Sequence, residues 1–156
     1  MNKIKKILAP TDYSDLSCLA LRHAFETGRE LSAEVVVLHV VAMSDDWFSK
    51  HTEIGPVRNL MAEQKAVLDK FLREKFADWM NLLEVRQIVE LGTPYSNIAE
   101  CAQREGIDVI VMSTHGRTGL DHVLLGSVTE KVIAHAPCPV LAIPATKAPG
   151  AMPRAA

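Results

Sequence analysis

The chain is expected to fold as a five-stranded parallel α/β sheet with helices on both faces. Two observations predict this. Five short apolar runs alternate with stretches of helical periodicity, and strands that alternate with helices are joined by right-handed crossovers and lie parallel. The chain has 156 residues, 48% hydrophobic and 23% charged, which suits one domain with one sizeable core.

Residues 4–10 read as a buried first strand. Ser14 or Asp15 can cap a helix running to about Leu31, with Leu16, Leu19, Ala20, His23, Ala24, Thr27 and Leu31 on the core face. Val35 to Val41 is β-branched and apolar throughout, as a strand covered on both faces should be. Residues 42–56 mix Asp, Ser, His, Gly and Pro and read as a long loop. A helix is expected from about Val57 to Phe76, with Leu60, Val67, Leu68, Phe71 and Leu72 on one stripe. Leu83 to Leu91 is a third strand, with Val85, Val89 and Leu91 on one alternation. Thr93 then stands as N-cap before Pro94, whose missing N–H costs nothing at a first helical position, and that helix ends near Gly106. Ile107 to Met112 is a fourth strand, Ser127 opens a helix to about Ala136, and Pro139 to Ile143 is a fifth strand. Being last, short and apolar, that strand is expected at an edge, where it invites pairing with a second copy of itself. The domain is expected to span 1–144, with 145–156 as a flexible tail without periodicity.

Composition narrows the partners. Seventeen basic and nineteen acidic side chains leave a net charge of −2, so there is no electrostatic reason to expect nucleic acid or an anionic membrane. No apolar run approaches the ~20 residues that span a bilayer. The lysines near the start precede only Ile7 to Pro10, too short for a signal-peptide core. The three cysteines, Cys18, Cys101 and Cys138, form no CxxC pair or metal-ligand spacing and read as small buried hydrophobes. A cytoplasmic location is the expectation.

In a sheet of this kind ligands bind beyond the carboxyl ends of the strands, where the strand order reverses. The residues to weigh are therefore Pro10, Thr11 and Asp12 after the first strand, Val40 and Val41 at the end of the second, and Met112 and the run Ser113 to Ser127 after the fourth. In that run, Gly116, Gly119 and Gly126 let backbone N–H groups approach a ligand. Gly126 and Ser127 then deliver the chain into a helix N-terminus, where N–H groups and the helix dipole favour a phosphate, and Ser127 and Thr129 add hydroxyls. Residues 127–130 also read as a capping box, which needs no ligand. Neither GxxxxGK[ST] nor GxGxxG is present, so no P-loop lysine is supplied.

With the opening ILAPTDYSD and the closing APCPVLAIP, the run from Ser113 to Ser127 resembles the universal stress protein family over about Lys3 to Pro144. The ATP-binding members carry G-x2-G-x9-G-[ST]. Gly116, Gly126 and Ser127 match its last three fixed positions, and Ser113 stands where the first glycine would be. The resemblance implies an adenine nucleotide alpha hydrolase-like fold. It implies Asp12 beside adenine or ribose, Val40 on adenine through its backbone, and Gly116, Gly126, Ser127 and Val128 on ribose and phosphates. It also implies a homodimer built by pairing the last strands. ATP is the expected ligand, with Mg2+ or Mn2+ held through the phosphates, and an unidentified protein partner is expected to respond.

Other residues have plainer readings. Arg117 can pair with a phosphate or face solvent. His115 and His122, with Asp121 beside one of them, can act as general acid or base beside a phosphate, or hydrogen-bond the loop or face solvent, the reading favoured here, and Asp12 can help start the first helix. His39 reads as a satisfied core histidine, and His51 with Glu53 is weak evidence for a metal. The function expected is a nucleotide-dependent regulatory module rather than an enzyme. A slow ATPase or nucleotidyl-transfer enzyme, and a dimeric interaction protein with an empty site, are the alternatives.

Overall fold

Successive side chains of a strand point to opposite faces of its sheet, and this alternation divides the core in two. The computed structural model describes residues 3–50, 54–116 and 125–145. Within them five strands, β1 (Lys6–Pro10), β2 (Glu34–Ala42), β3 (Val85–Gly92), β4 (Val109–Ser113) and β5 (Val140–Ile143), form one sheet in the order β3-β2-β1-β4-β5. Every neighbouring pair is parallel. The helices are α1 (Asp15–Leu31), α2 (Asp45–Lys50), α3 (Ile54–Met80), α4 (Pro94–Glu105) and α5 (Ser127–His135). On one face Ile7, Ala9, Val35, Val37, Val89 and Val111 meet Leu21, Ala24 and Phe25 of α1 and Leu68, Leu72 and Phe76 of α3. On the other, Leu8, Val36, Leu38, Ile110 and Met112 meet Ile98, Cys101 and Ala102 of α4 and Val132 of α5. The five-stranded parallel sheet, its two helical layers and the edge position of the last strand are as the alternation predicts.

Three local expectations are corrected. The buried face of α1 is Ser17, Ala20, Leu21, Ala24, Phe25 and Gly28, not the stripe through His23, whose side chain is exposed. Phe25 and Leu21 carry the apolar area, and Gly28 lets the helix lie close: a Cβ there would stand 2.6 Å from Val35 Cγ2. The stretch 42–56 is not a long loop. Ser44 accepts the Trp47 N–H on its hydroxyl at 3.2 Å and starts the short α2, which a Lys50–Asp46 pair at 2.7 Å closes. Finally, α3 runs from Ile54 to Met80, beyond the expected ends. The expected stop at Phe76 coincides with a break in the helix, where φ is −136° and ψ 23°. Val67, expected on the core stripe, is 46% exposed.

The cysteines behave as small hydrophobes. All three are free, and burial pushes the Cys101 thiol up to about 11, where little thiolate exists at neutral pH. Among the described residues no helix is long and apolar enough to cross a membrane. The tail 146–156 lies outside the described residues, as do His51 and Glu53.

Carboxylates clamp the amino ends of the strands. Asp108 accepts the N–H groups of Lys5 and Lys6 at 2.8 and 2.9 Å, tying the start of β4 to that of β1. Glu105, the last residue of α4, accepts from Arg86 at 2.6 Å, and Arg86 also donates to Glu34 at 2.8 Å. These bonds favour the ionised forms. The Arg86 guanidinium holds the Glu105 carboxyl below its ordinary value, and the Lys5 and Lys6 N–H groups do the same for Asp108. A carboxyl lowered in the folded state stabilises the fold above its unfolded value and loses that contribution as pH falls. Stability should therefore decline as pH drops below about 4.5, the ordinary glutamate value. Urea unfolding at pH 7 and pH 3.5 should show a smaller acid loss for the double variant Glu105→Gln, Asp108→Asn than for the wild type. An identical acid loss would remove these two groups as its source.

Candidate functional site

The register of the sheet makes the site. The β1–β2 pairing ends at Pro10 opposite Leu38, whereas β2 continues beside β3 as far as Ala42 opposite Gly92. On the other side, β1 and β4 are registered only at Ile7 with Val109 and Leu8 with Ile110. The chain proceeds from β1 outward through β2 to β3, then returns to β4 and β5, so β1 and β4 flank the point where strand order reverses. Beyond their carboxyl ends opens a cleft of about 730 Å³. That lies within the roughly 300–1,000 Å³ of small-molecule pockets.

Of the residues predicted for the site, Pro10, Thr11, Asp12, Val40, Met112, Ser113, Gly116, Gly126, Ser127, Val128 and Thr129 all line this cleft. Arg117 lies outside the described residues, as do Gly119, Asp121 and His122. Sequence reasoning passed over Tyr13, Gln64, Val67, Pro94 and Ile98, which also line it. Gln64 and Val67 come from α3, distant in sequence, and no local pattern separates a cleft-facing position on that helix from a solvent-facing one.

The β1 end is a tight turn held by its own side chains. Asp12 Oδ1 accepts the Ser14 N–H at 3.0 Å and the Ser14 hydroxyl at 2.5 Å, and Ser14 Oγ in turn accepts the Ser17 N–H as the N-cap of α1. Asp12 thus both helps to start the helix and lines the cleft. Thr11 Oγ1 accepts the Tyr13 N–H at 3.1 Å and lies 2.9 Å from Ser17 Oγ. Tyr13 takes a left-handed φ of 66°, which lays its ring 4.3 Å from that of His39. His39 Nδ1 donates to the Thr11 carbonyl at 2.8 Å, since a carbonyl oxygen only accepts. His39 is buried and satisfied, as expected, and it lines the cleft as well.

The end of β2 presents backbone. In a strand both polar groups of one residue face the same side. Leu38 turns its carbonyl toward β1, where it accepts the Thr11 N–H at 2.9 Å. Val40, two residues on, faces the same way, but β1 has already ended. Its N–H and C=O are therefore directed past the tip of β1, on the side of the cleft.

The β4 end and α5 form the third wall. Gly126 is the N-cap of α5, with φ −67° and no side-chain cap, so the capping box expected over residues 127–130 does not form and Ser127 is the first residue of the helix. The first N–H groups of a helix have no partner within it, and together with the helix dipole they favour an anion. Thr129 Oγ1 spends its one proton on the Ser113 carbonyl at 2.9 Å, so its hydroxyl ties the helix to β4. The two glycines stand in close approach to neighbours, and neither has a positive φ. A Cβ on Gly116 would stand 2.5 Å from Asp12 Oδ2, and one on Gly126 3.1 Å from the Thr114 carbonyl. Asp12 is the single carboxylate among the described lining residues, and no cluster of metal-binding side chains is found among them.

The profile of the Universal stress protein family matches residues 3–144. The chain belongs to that family. It is 37% identical over 145 residues to Universal stress protein MJ0531 of Methanocaldococcus jannaschii, covering 91% of this chain and 83% of that one. The solved structure of protein MJ0577, from the same organism, superposes with a TM-score of 0.76 at 32% identity, over 94% of this chain and 100% of the other. A universal stress protein crystallised in complex with cAMP shares the fold with a TM-score of 0.66 at 19% identity, over 91% and 98% of the two chains.

The contact between Gly116 and Asp12 has a measurable consequence. Gly116→Ala should push the Asp12 carboxylate off Ser14 and weaken the start of α1, costing about 1 kcal/mol, the scale of a lost N-cap. Gly55→Ala is the control: a Cβ there meets nothing within 4 Å inside α3, and it should be neutral or stabilising by up to about 1 kcal/mol. Equal effects of the two substitutions in denaturant unfolding would show that Gly116 does not press on Asp12.

Proposed function

We propose that this universal stress protein binds an adenine nucleotide, ATP first among them, in the cleft beyond β1 and β4, and acts as a cytoplasmic, nucleotide-dependent regulatory module rather than an enzyme. The observation that carries the reading is that two unlike recognition elements open into one cavity. At one side the α5 N-terminus, without a side-chain cap, offers N–H groups to an anion. At the other, the backbone at Val40 borders the cleft where β1 no longer pairs with β2. An adenine edge carries an amino donor beside a ring acceptor, and a backbone C=O and N–H complement that pair. The relative crystallised with cAMP supports an adenine ligand. Mg2+ or Mn2+ would be held mainly through the phosphates, with Asp12 as the nearest carboxylate.

The reading without catalysis rests on what the lining offers. Phosphoryl transfer needs positioned charge around the transferred group, and no lysine or arginine is found among the described lining residues. Donors that hold ground state and transition state equally do not raise kcat. Isothermal titration should show ATP binding that weakens at least tenfold, or about 1.4 kcal/mol, in Gly126→Val. ADP release at saturating ATP and magnesium should stay well below the ~1 s⁻¹ of slow ordinary enzymes. Unchanged affinity in a folded Gly126→Val would argue against the site. Turnover of several per second, lost in Asp12→Ala, would make the protein an ATPase.

A homodimer is part of the same proposal. Among the described residues β5 is paired on one side only, by β4, and Leu141 on it is 47% exposed. An edge strand of that kind pairs readily with a second copy. Light scattering at micromolar concentration should give a dimer, and Val140→Lys a monomer; a monomeric wild type would end the idea.

A further inference from the structure

The family pattern has glycine where this chain has Ser113, and the geometry points to a positive role for that serine: we infer that Ser113 is the positioning residue of the phosphate-binding turn. The inference rests on the nucleotide-binding reading above and concerns one end of that site.

Ser113 ends β4, and its hydroxyl donates to the carbonyl of His115, two residues on, at 2.8 Å. Glycine has no group with which to make this bond. It bends the chain directly after the strand, so that Gly116 arrives against Asp12 Oδ2. Three further contacts close the same turn. The Gly126 N–H donates to the Thr114 carbonyl at 2.6 Å. The Thr129 hydroxyl donates to the Ser113 carbonyl at 2.9 Å, and Thr114 Oγ1 lies 2.9 Å from His115 Nδ1. Together they fix the start of α5 relative to the end of β4. The Ser113 hydroxyl bond acts on the segment leading to Gly116 from the end of the strand itself. A flexible turn must be ordered when an anion binds, and that ordering opposes binding; a turn already held does not lose this freedom. Ser113 therefore acts on phosphate affinity through the backbone, without itself touching phosphate.

The inference makes a graded demand. The base edge at Val40 belongs to β2 and does not depend on Ser113, so removing the hydroxyl should weaken ligands in proportion to their phosphates. ATP, ADP, AMP and adenosine are titrated into wild type, Ser113→Ala and Ser113→Gly, with thermal unfolding as the check on folding. In both variants ATP and ADP should weaken about three- to tenfold, the factor carried by one lost hydrogen bond, while adenosine changes less than twofold. Ser113→Thr, which restores a hydroxyl, should recover most of the ATP affinity. Equal losses for ATP and adenosine would make Ser113 a merely structural residue and overturn the inference. So would unchanged or tighter ATP binding in Ser113→Gly. A wild type that binds none of the four ligands would instead overturn the nucleotide reading beneath it, a result distinct from either.

Discussion

The parting of β1 from β4 governs the rest of the molecule. A parallel sheet covers both faces with helices, so its interior offers a ligand nothing; room appears only where neighbouring strands send their connections to opposite faces. Here that place is reached almost at once, because β1 and β4 share only two registered pairs before they separate. β2 runs four residues farther than β1 along its β3 neighbour. The cleft is what this mismatch of strand lengths leaves. Strand tips border it, the start of α5 closes one end, and Asp12 sits on the turn that follows β1.

Much of this was legible because the central strands are short and largely apolar, β2 above all, as doubly covered strands are. Val35, Val36, Val37 and Leu38 are all fully buried, alternately on the two faces, so no periodicity had to be guessed. Helices were harder. On α1 the stripe through His23 competes with one through Leu21 and Phe25, and the second wins because it buries a phenylalanine against Phe76 and Trp79. The long loop expected before α3 failed for a different reason. Polar, turn-forming residues also start helices, and Ser44 does so here with a single side-chain bond.

The site divides in the same way. Residues immediately after strands could be named from sequence, because topology alone brings the tips of β1, β2 and β4 together. Gln64 and Val67 could not, since only the packing of α3 over the sheet carries them to the cleft. The glycines were found for a reason the structure revises. Gly116 and Gly126 suggested close approach to a ligand, yet each also stands close to the protein itself, where a Cβ would press on the Asp12 carboxylate or the Thr114 carbonyl. The supposed capping box was likewise a fair reading of residues 127–130. It fails because Gly126, not Ser127, occupies the cap position.

The same turn offers a route from ligand to surface. Thr114 is bonded on both sides: its carbonyl accepts the Gly126 N–H at the α5 start, and its own N–H donates to the Ile143 carbonyl at the end of β5 at 3.0 Å. One residue thus joins the α5 end of the cleft to the edge strand. A ligand that draws the α5 N-terminus toward itself pulls on Thr114, and through it on the strand proposed to meet a second copy. Such coupling requires that ligand and partner each favour one position of the turn over another. A turn closed by several bonds near 2.8 Å and standing between the two proposed binding surfaces has the connections for that, whereas among the described residues no bond links Val40 to β5. On this geometry the phosphates, rather than the base, would carry the signal, with the base supplying selectivity for the ligand.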